Sequence, residues 1–395
     1  MRYCIKILAM LLSVLLLCGC WSRRELDTIA IVTGLGIDNT DEEGEIALTV
    51  EIEKPAPPQG GGAGGDGGGG GAGSQYLNIT NRGSDLFTVV RDYNSEVGRK
   101  LYFPHNQVVI FGEEFAKLGI RNQIDFLLRD HENRLNVQVL VAKGKAEKVL
   151  NAPELLEGAP AVDIVNMIES QKNTSEAPDI DLLHLLSALT SATTAPIAPM
   201  VSLEEDGDAS KIIVAGTAVF RGDHLVGEFN GAETRGMLWM MDKMGSGVLN
   251  FKHDDGTVSL EIIKAKTKVE TSLKPDGTPV VKAEVKANCN LGSQSGIIDQ
   301  TSEESLKALE KRADEIIKAE MEYTLALAKD MGTDVYGFGN KFHQYHPKEW
   351  KEMEGKWDEL FKALEVEITV KTSIQGTGRM TKPAYPDMTP PEDKK

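Results

Sequence analysis

Cysteine is almost missing from the body of this chain. Four occur in 395 residues, and three of them, Cys4, Cys18 and Cys20, fall within the first twenty positions. Only Cys289 lies beyond them, so no internal disulfide can staple the folded part, and stability must come from a packed core. Long hydrophobic runs are equally scarce. The one long apolar stretch, residues 7–17, is shorter than the ~20 residues that a membrane-spanning helix needs. Positive charge is in deficit, with 43 Lys+Arg against 60 Asp+Glu and a net charge of −17. That balance argues against nucleic acid as a partner, which demands a basic face, and against electrostatic adhesion to anionic lipid. Signatures of catalysis are missing too: there is no Gly-x-Ser-x-Gly, no His-Glu-x-x-His and no Cys-x-x-Cys.

What is present begins at the N-terminus. Arg2 and Lys6 precede the apolar run, and Leu17-Cys18-Gly19-Cys20 closes it. A charged start, a short apolar centre and a small-residue end read as a secretory signal peptide over residues 1–19. The ending resembles a bacterial lipobox, in which a thiol accepts a diacylglyceryl group and its residue becomes the N-acylated start of the mature protein. Cys20 is the nucleophile for that chemistry. The competing readings are a plain signal peptide and an uncleaved anchor. Two acyl chains, at about 0.8 kcal/mol per buried methylene, anchor stably where one is marginal. The expectation is therefore a soluble body tethered to the outer face of a bacterial membrane. Arg2 and Lys6 leave with the signal, so 41 basic residues face 60 acidic ones and the charge falls to −19. Trp21, Arg23 and Arg24, beside the anchor, suit the headgroup level.

The remaining 376 residues are too long for one core and suggest two or three domains. Residues 28–38 and 45–53 read as strands around a turn at 41–44, the second alternating Ile46, Leu48, Val50, Ile52. Residues 59–74 are almost all glycine. They lack the Lys-Ser/Thr of a phosphate loop and lead into a strand at 75–80, so they read as a flexible insertion. Ser84 is a candidate cap for a helix to Val97. Strands at 106–111 and 135–142 alternate with helices at 113–129, one broken or two short, at 145–151, at 161–171 and at 180–191. Residues 192–200, with Pro196 and Pro199, look like a domain boundary. A hairpin at 211–220 and 224–228, turning at Arg221-Gly222-Asp223, opens a second unit. A helix at 232–244 follows, then strands at 247–251, 257–272 and 278–290. Thr301 and Glu304 form a candidate capping box for the longest helix, which Gly332 stops. A helix at 347–361 and an alternating strand at 364–374 end the pattern.

Candidate sites are few. His343 and His346 have a spacing that could serve a metal, but no third ligand is evident. His253-Asp254-Asp255-Gly256 reads as a turn. Asp179 and Asp181 suit a helix N-terminus. The groups Trp239-Met240-Met241, Trp350 and Trp357 read as core.

A family resemblance follows from longer segments. Cys20-Trp21-Ser22-Arg23-Arg24-Glu25-Leu26 and Ile31-Val32-Thr33-Gly34-Leu35-Gly36-Ile37-Asp38 resemble the mature start of the Ger(x)C spore germination lipoproteins. Arg99-Lys100-Leu101-Tyr102-Phe103-Pro104-His105, residues 109–114 and 125–130, and Arg134-Leu135-Asn136 resemble that family's first domain. Residues 215–220 with Glu233-Thr234-Arg235-Gly236 resemble its middle domain, and Asp334-Val335-Tyr336-Gly337-Phe338-Gly339 with Trp350 and Trp357 its last. The departures are the glycine insertion and Ser22, where the family usually carries an acidic residue.

The resemblance implies an α+β or α/β fold of three domains, each a mainly antiparallel or mixed sheet flanked by helices. They would occupy residues 20–194, 195–295 and 296–382, before a disordered tail at 383–395. It also implies a lipid anchor on Cys20, a place on the outer face of the spore inner membrane, and partnership with the A and B membrane subunits of a nutrient germinant receptor. No enzymatic activity, cofactor or metal comes with it. Gly216, Gly236, Gly337 and Gly339 suit tight backbone positions, and Glu233 and Arg235 are candidates for a surface or interdomain pair. The alternative function is a solute-binding lipoprotein that captures the nutrient itself, which needs a deep cleft with convergent polar groups. A cell-wall hydrolase is the third, and would need carboxylates of raised pKa or a metal.

Overall fold

The computed structural model describes residues 28–54, 75–153, 155–206, 209–254, 256–295 and 300–377, together with 2, 3 and 6. Cys20, nearly all of the signal segment, the glycine insertion and the C-terminal tail lie outside the described residues. The mixed α+β fold expected from sequence is found, with two sheets flanked by helices.

The first sheet has nine strands. They are β1 (Ile29–Asn39), β2 (Ile46–Glu53), β3 (Tyr76–Gly83), β4 (Lys100–Tyr102), β5 (Val108–Gly112), β6 (Gln138–Ala142), β7 (Ile197–Asp206), β8 (Ala209–Arg221) and β9 (His224–Phe229). Their order is β3-β2-β1-β5-β6-β7-β8-β9, with β4 beside β1. The central block β1-β5-β6-β7 is parallel, and an antiparallel pair extends it on either side. A parallel block must be covered on both faces, and every residue of β5 is accordingly buried. One face packs on α1 (Leu86–Val97), α2 (Glu113–Leu118), α3 (Arg121–Arg129) and a later helix, α6 (Leu182–Leu189). The other packs on α4 (Ala146–Leu150) and α5 (Pro160–Ser170). That second layer explains Gly34 and Gly36: a Cβ on Gly34 would stand 2.9 Å from the Ala161 methyl, and one on Gly36 3.1 Å from Leu150.

The second sheet runs β10 (Gly247–His253), β11 (Gly256–Leu273), β12 (Pro279–Gln294) and β13 (Glu365–Gly376). Helix α7 (Gly231–Met240) leads into it from the first sheet. The 29-residue α8 (Glu303–Met331) lies against it, followed by α9 (Phe338–Tyr345), α10 (Pro347–Met353) and α11 (Trp357–Ala363). The free edge of β13 does not face solvent bare. Its Thr372 and Ile374 amides donate to Asp314 Oδ1 (2.6 Å) and Glu310 Oε1 (2.8 Å) on α8.

Several expectations are corrected. The sheets do not divide the chain at residue 195 into three units, because β7, β8 and β9 complete the first sheet. Pro199 is tolerated inside β7 because it lies at a register shift opposite β8. The cap of α1 is Asp85, whose carboxylate accepts from Thr88 N, and not Ser84. Ser302, rather than Thr301, caps α8 through Ser305 N. The expected helix at 347–361 is broken by a 3-10 turn at Glu354–Lys356.

Glu233 and Arg235 do not pair with each other, since residues two apart point to different sides of a helix. Glu233 closes a capping box with Asn230, while the Arg235 guanidinium grips both oxygens of Glu320 on α8. Gly236 sits between them at the helix crossing. A Cβ there would collide with Thr324 Oγ1 and the Glu320 carbonyl. Gly236→Ala should therefore destabilise the protein by about 1–3 kcal/mol, the usual cost of overpacking. Urea unfolding measures this, and an unchanged midpoint would show that the crossing can spread freely.

Candidate functional site

A groove of about 990 Å³ runs along the seam between the two sheets. Asn106 and Gln107 directly precede β5, Gln138 opens β6 and Ile197 opens β7, so the groove lies at the N-terminal ends of the parallel strands. Open α/β sheets ordinarily bind ligands at the opposite, carboxyl end. Here Asp38 fills that end of β1. Its oxygens accept from Ala146 N (2.8 Å) and Glu147 N (2.9 Å) at the start of α4. Burial pushes the Asp38 carboxyl above its usual value, and those two amides partly offset the rise.

The far wall of the groove belongs to α7 and the loop after it, through Leu238, Met241, Lys243 and Gly245. A strap, residues 171–179, joins the walls. Gln171 Nε2 donates to the Val214 carbonyl, and Gly216 N donates to the Glu176 carbonyl. On the other side Ser246 N donates to the Lys172 carbonyl, Gly245 N to Ser175 Oγ, and Ser175 Oγ to the Ser246 carbonyl. Ser175 is buried at φ +55°, a left-handed conformation that a side chain rarely adopts and that surrounding contacts must enforce.

A second joint is built from the Asp334–Gly339 motif. Asp334 accepts from Phe338 N, Gly339 N and Trp357 Nε1, while its carbonyl receives Ala195 N. Asn340 adds contacts to Ser191 and Thr194. Burial raises the Asp334 carboxyl to about 6 despite these donors. The third joint is the α7–α8 crossing, where Thr234 meets Thr217 of β8 and Thr324 donates to the Glu233 carbonyl.

The remaining candidates from sequence resolve individually. His343 stacks on Trp350, and the His346 ring faces the Thr271 carbonyl. Trp239, Met240, Trp350 and Trp357 are buried core, with Met241 packed against it. Asp181 caps α6, and Asp179 receives Gln138 Nε2. Arg221–Asp223 is a turn whose Asp223 carbonyl holds Ile120 N. Asp255 lies outside the described residues. Among the described residues no group of three metal-ligating side chains occurs. Pro104, His105, Arg134 and Asn136, which lie in two separate family-like segments of the sequence, share a groove with Lys172 and Lys243. The available signal was polar residues placed directly before buried strands.

Comparison with known proteins decides the family. A model described as the spore germination protein N-terminal domain matches residues 22–203, and one described as spore germination B3/GerAC-like, C-terminal, matches residues 215–378. The chain belongs to the Ger(x)C family of spore germination proteins. Spore germination protein KC of Bacillus subtilis (strain 168) is 27% identical over 97% of this chain and 98% of its own length. Spore germination protein B3 of the same organism is 22% identical over 97% and 100%. The crystal structure of the GerBC protein overlays 86% of this chain and 96% of its own with a TM-score of 0.54 at 19% identity, which carries the fold.

One buried carboxylate bonded to the opening motif titrates in a useful range. Glu51 on β2 is fully buried; Thr33 Oγ1 donates to its Oε1 (2.7 Å) and Ala161 N to its Oε2 (3.3 Å). Desolvation raises it from 4.5 to about 7. The folded state thus holds the proton more tightly than the unfolded one. The resulting stabilisation is full below pH 4.5 and is lost as pH rises through about 7. Glu51→Gln, which mimics the protonated form, should flatten that slope, worth roughly 3 kcal/mol at 1.36 per unit. Asp38 and Asp334 titrate in both proteins and cancel. Urea midpoints at pH 5 and pH 8 test this; parallel curves for the two proteins would refute it.

Proposed function

We propose that this chain is a non-catalytic lipoprotein subunit of a spore germinant receptor, needed for the response to nutrient germinants. In this reading it is held at the outer face of the spore inner membrane by diacylglyceryl and N-acyl groups on Cys20, and assembles with the A and B membrane subunits. The observation that carries it is the pair of family models matched in order over residues 22–378, together with full-length relatives named spore germination proteins A3, B3 and KC. The buried carboxylates support a non-enzymatic reading. Asp38, Asp163 and Asp334 all accept several backbone amides, which commits them to holding loops and helix ends. Among the described residues no helix is long and apolar enough to cross a membrane. The attachment in this reading is the lipid on Cys20.

Chain geometry adds a constraint. Eight peptide steps separate Cys20 from Thr28, which at full extension span about 29 Å. A lipid on Cys20 would therefore hold the start of β1 within roughly one domain diameter of the bilayer.

Spores carrying Cys20→Ala test the reading. The protein should be made, should leave the membrane fraction, and the nutrient response should fail. A variant that stays membrane-bound in spores that germinate normally would overturn the anchor.

A further inference from the structure

We propose that the end of the first sheet from which β1 starts is a membrane-contact surface, where Leu155 and Leu156 enter the boundary between lipid headgroups and acyl chains. This rests on the lipid-anchored reading of Cys20 and extends it: the folded body itself touches the bilayer, in one orientation.

Strand directions place the surface. β1 is parallel to β5, and β5 to β6, while β2 is antiparallel to both β1 and β3. Strands β1, β3, β5 and β6 therefore all start at one end of the sheet. Leu77 is the second residue of β3, and Leu135 lies just before β6. Leu183 is beside Leu135, its amide donating to the Leu135 carbonyl (3.0 Å). The segment carrying Leu155 and Leu156 packs on the start of β3. The Tyr76 hydroxyl donates to the Ala152 carbonyl (3.1 Å), and a Cβ on Gly158 would stand 3.1 Å from the Gln75 side chain. Six leucines are exposed among the described residues, and these are five of them. Single exposed leucines are ordinary on any surface. Five gathered at one end of one sheet are not scattered.

Leu155 and Leu156 are also held outward by design of the backbone. Asp163, 4% exposed on α5, accepts from Leu155 N at Oδ2 (2.9 Å) and from Leu156 N and Glu157 N at Oδ1 (3.2 Å each). A buried carboxylate thus fixes three consecutive amides while the Leu156 side chain stands 90% exposed and its neighbour Leu155 47%. The exposure belongs to an anchored loop and not to a fraying one.

The occupant follows from where the chain leads. Ile29 opens β1 at this same end, and a lipid on Cys20 lies at most about 29 Å of extended chain before Thr28. The bilayer is therefore within reach of this end and not of the β1–β2 turn, about 33 Å away along the ten steps of β1. A net charge of −17 opposes attraction to anionic lipid, so the contact has to be apolar, and such contacts strengthen with the apolar area they bury. Arg134, Glu157 and His184, adjacent in sequence to these leucines, keep the contact shallow.

The test uses the lipidated protein on phosphatidylcholine vesicles. Cys289 is buried and Cys20 carries the lipid, so a cysteine added at the surface is the thiol that a fluorophore labels. Leu156→Cys and Glu43→Cys, the latter on the exposed β1–β2 turn, are each labelled with an environment-sensitive dye. Nitroxide-bearing lipid should quench the label of Leu156→Cys at least threefold more than that of Glu43→Cys. The double variant Leu155→Ser, Leu156→Ser should leave vesicles at least threefold faster than the unaltered protein while keeping its urea midpoint. Protein that does not float with the vesicles would overturn the Cys20 anchor and this contact with it. Protein that floats, with both labels quenched equally, would overturn the contact alone and leave the leucines to a protein partner. An unchanged rate of departure would overturn it too.

Discussion

The arrangement of the molecule depends on how closely α7 approaches α8. Among the described residues the chain passes from the first sheet to the second once, through α7 and the loop after it. Gly236 removes the side chain that would hold α8 away, Arg235 grips Glu320, and Thr324 reaches back to the Glu233 carbonyl. Trp239, also bonded to Glu320, then drops into the core that both sheets share. Four consecutive residues, Glu233-Thr234-Arg235-Gly236, thus serve a helix start, a bond to the first sheet, an interhelical ion pair and a steric gap. Substitution at any one disturbs a joint between two sheets and not a single contact.

Buried carboxylates follow the same logic. Asp38 and Glu51 accept amides from segments distant in the chain, Asp334 from the start of a helix, and Asp163 from the loop just before its own helix. Desolvation raises Asp38, Glu51 and Asp334, so part of their hydrogen-bonding benefit is surrendered to burial. This polar scaffolding suits a body that has no disulfide among the described residues: it fixes register where hydrophobic packing alone is permissive. Cys289, buried with its thiol pushed up to about 12, is a small hydrophobic core residue.

Much of the fold was legible because hydrophobic period tracks local geometry. The strand expected at 106–111 became β5 at Val108–Gly112, and the alternation at 364–374 became β13. What failed was long-range pairing. The prolines at 196 and 199 looked like punctuation, yet β7 finds its partner β6 more than fifty residues upstream, and a register shift absorbs Pro199. Helix caps slipped by one position, from Ser84 to Asp85 and from Thr301 to Ser302, because adjacent polar residues are equivalent in a pattern and differ only in backbone angles. The groove was invisible for a related reason. Its residues are unremarkable singly, and only the β5-β6 pairing and the approach of α7 bring Gln107, Gln138 and Leu238 around one space. Cys20, by contrast, was read entirely from sequence, and the described residues do not include it.

The paired edge of β13 has a further consequence. Two outward amides held by Glu310 and Asp314 make that end of β13 a poor template for an added strand. Growth of the second sheet past that end of β13 would first have to break both bonds, so the helix that packs on the sheet also sets where its hydrogen-bonding ladder stops.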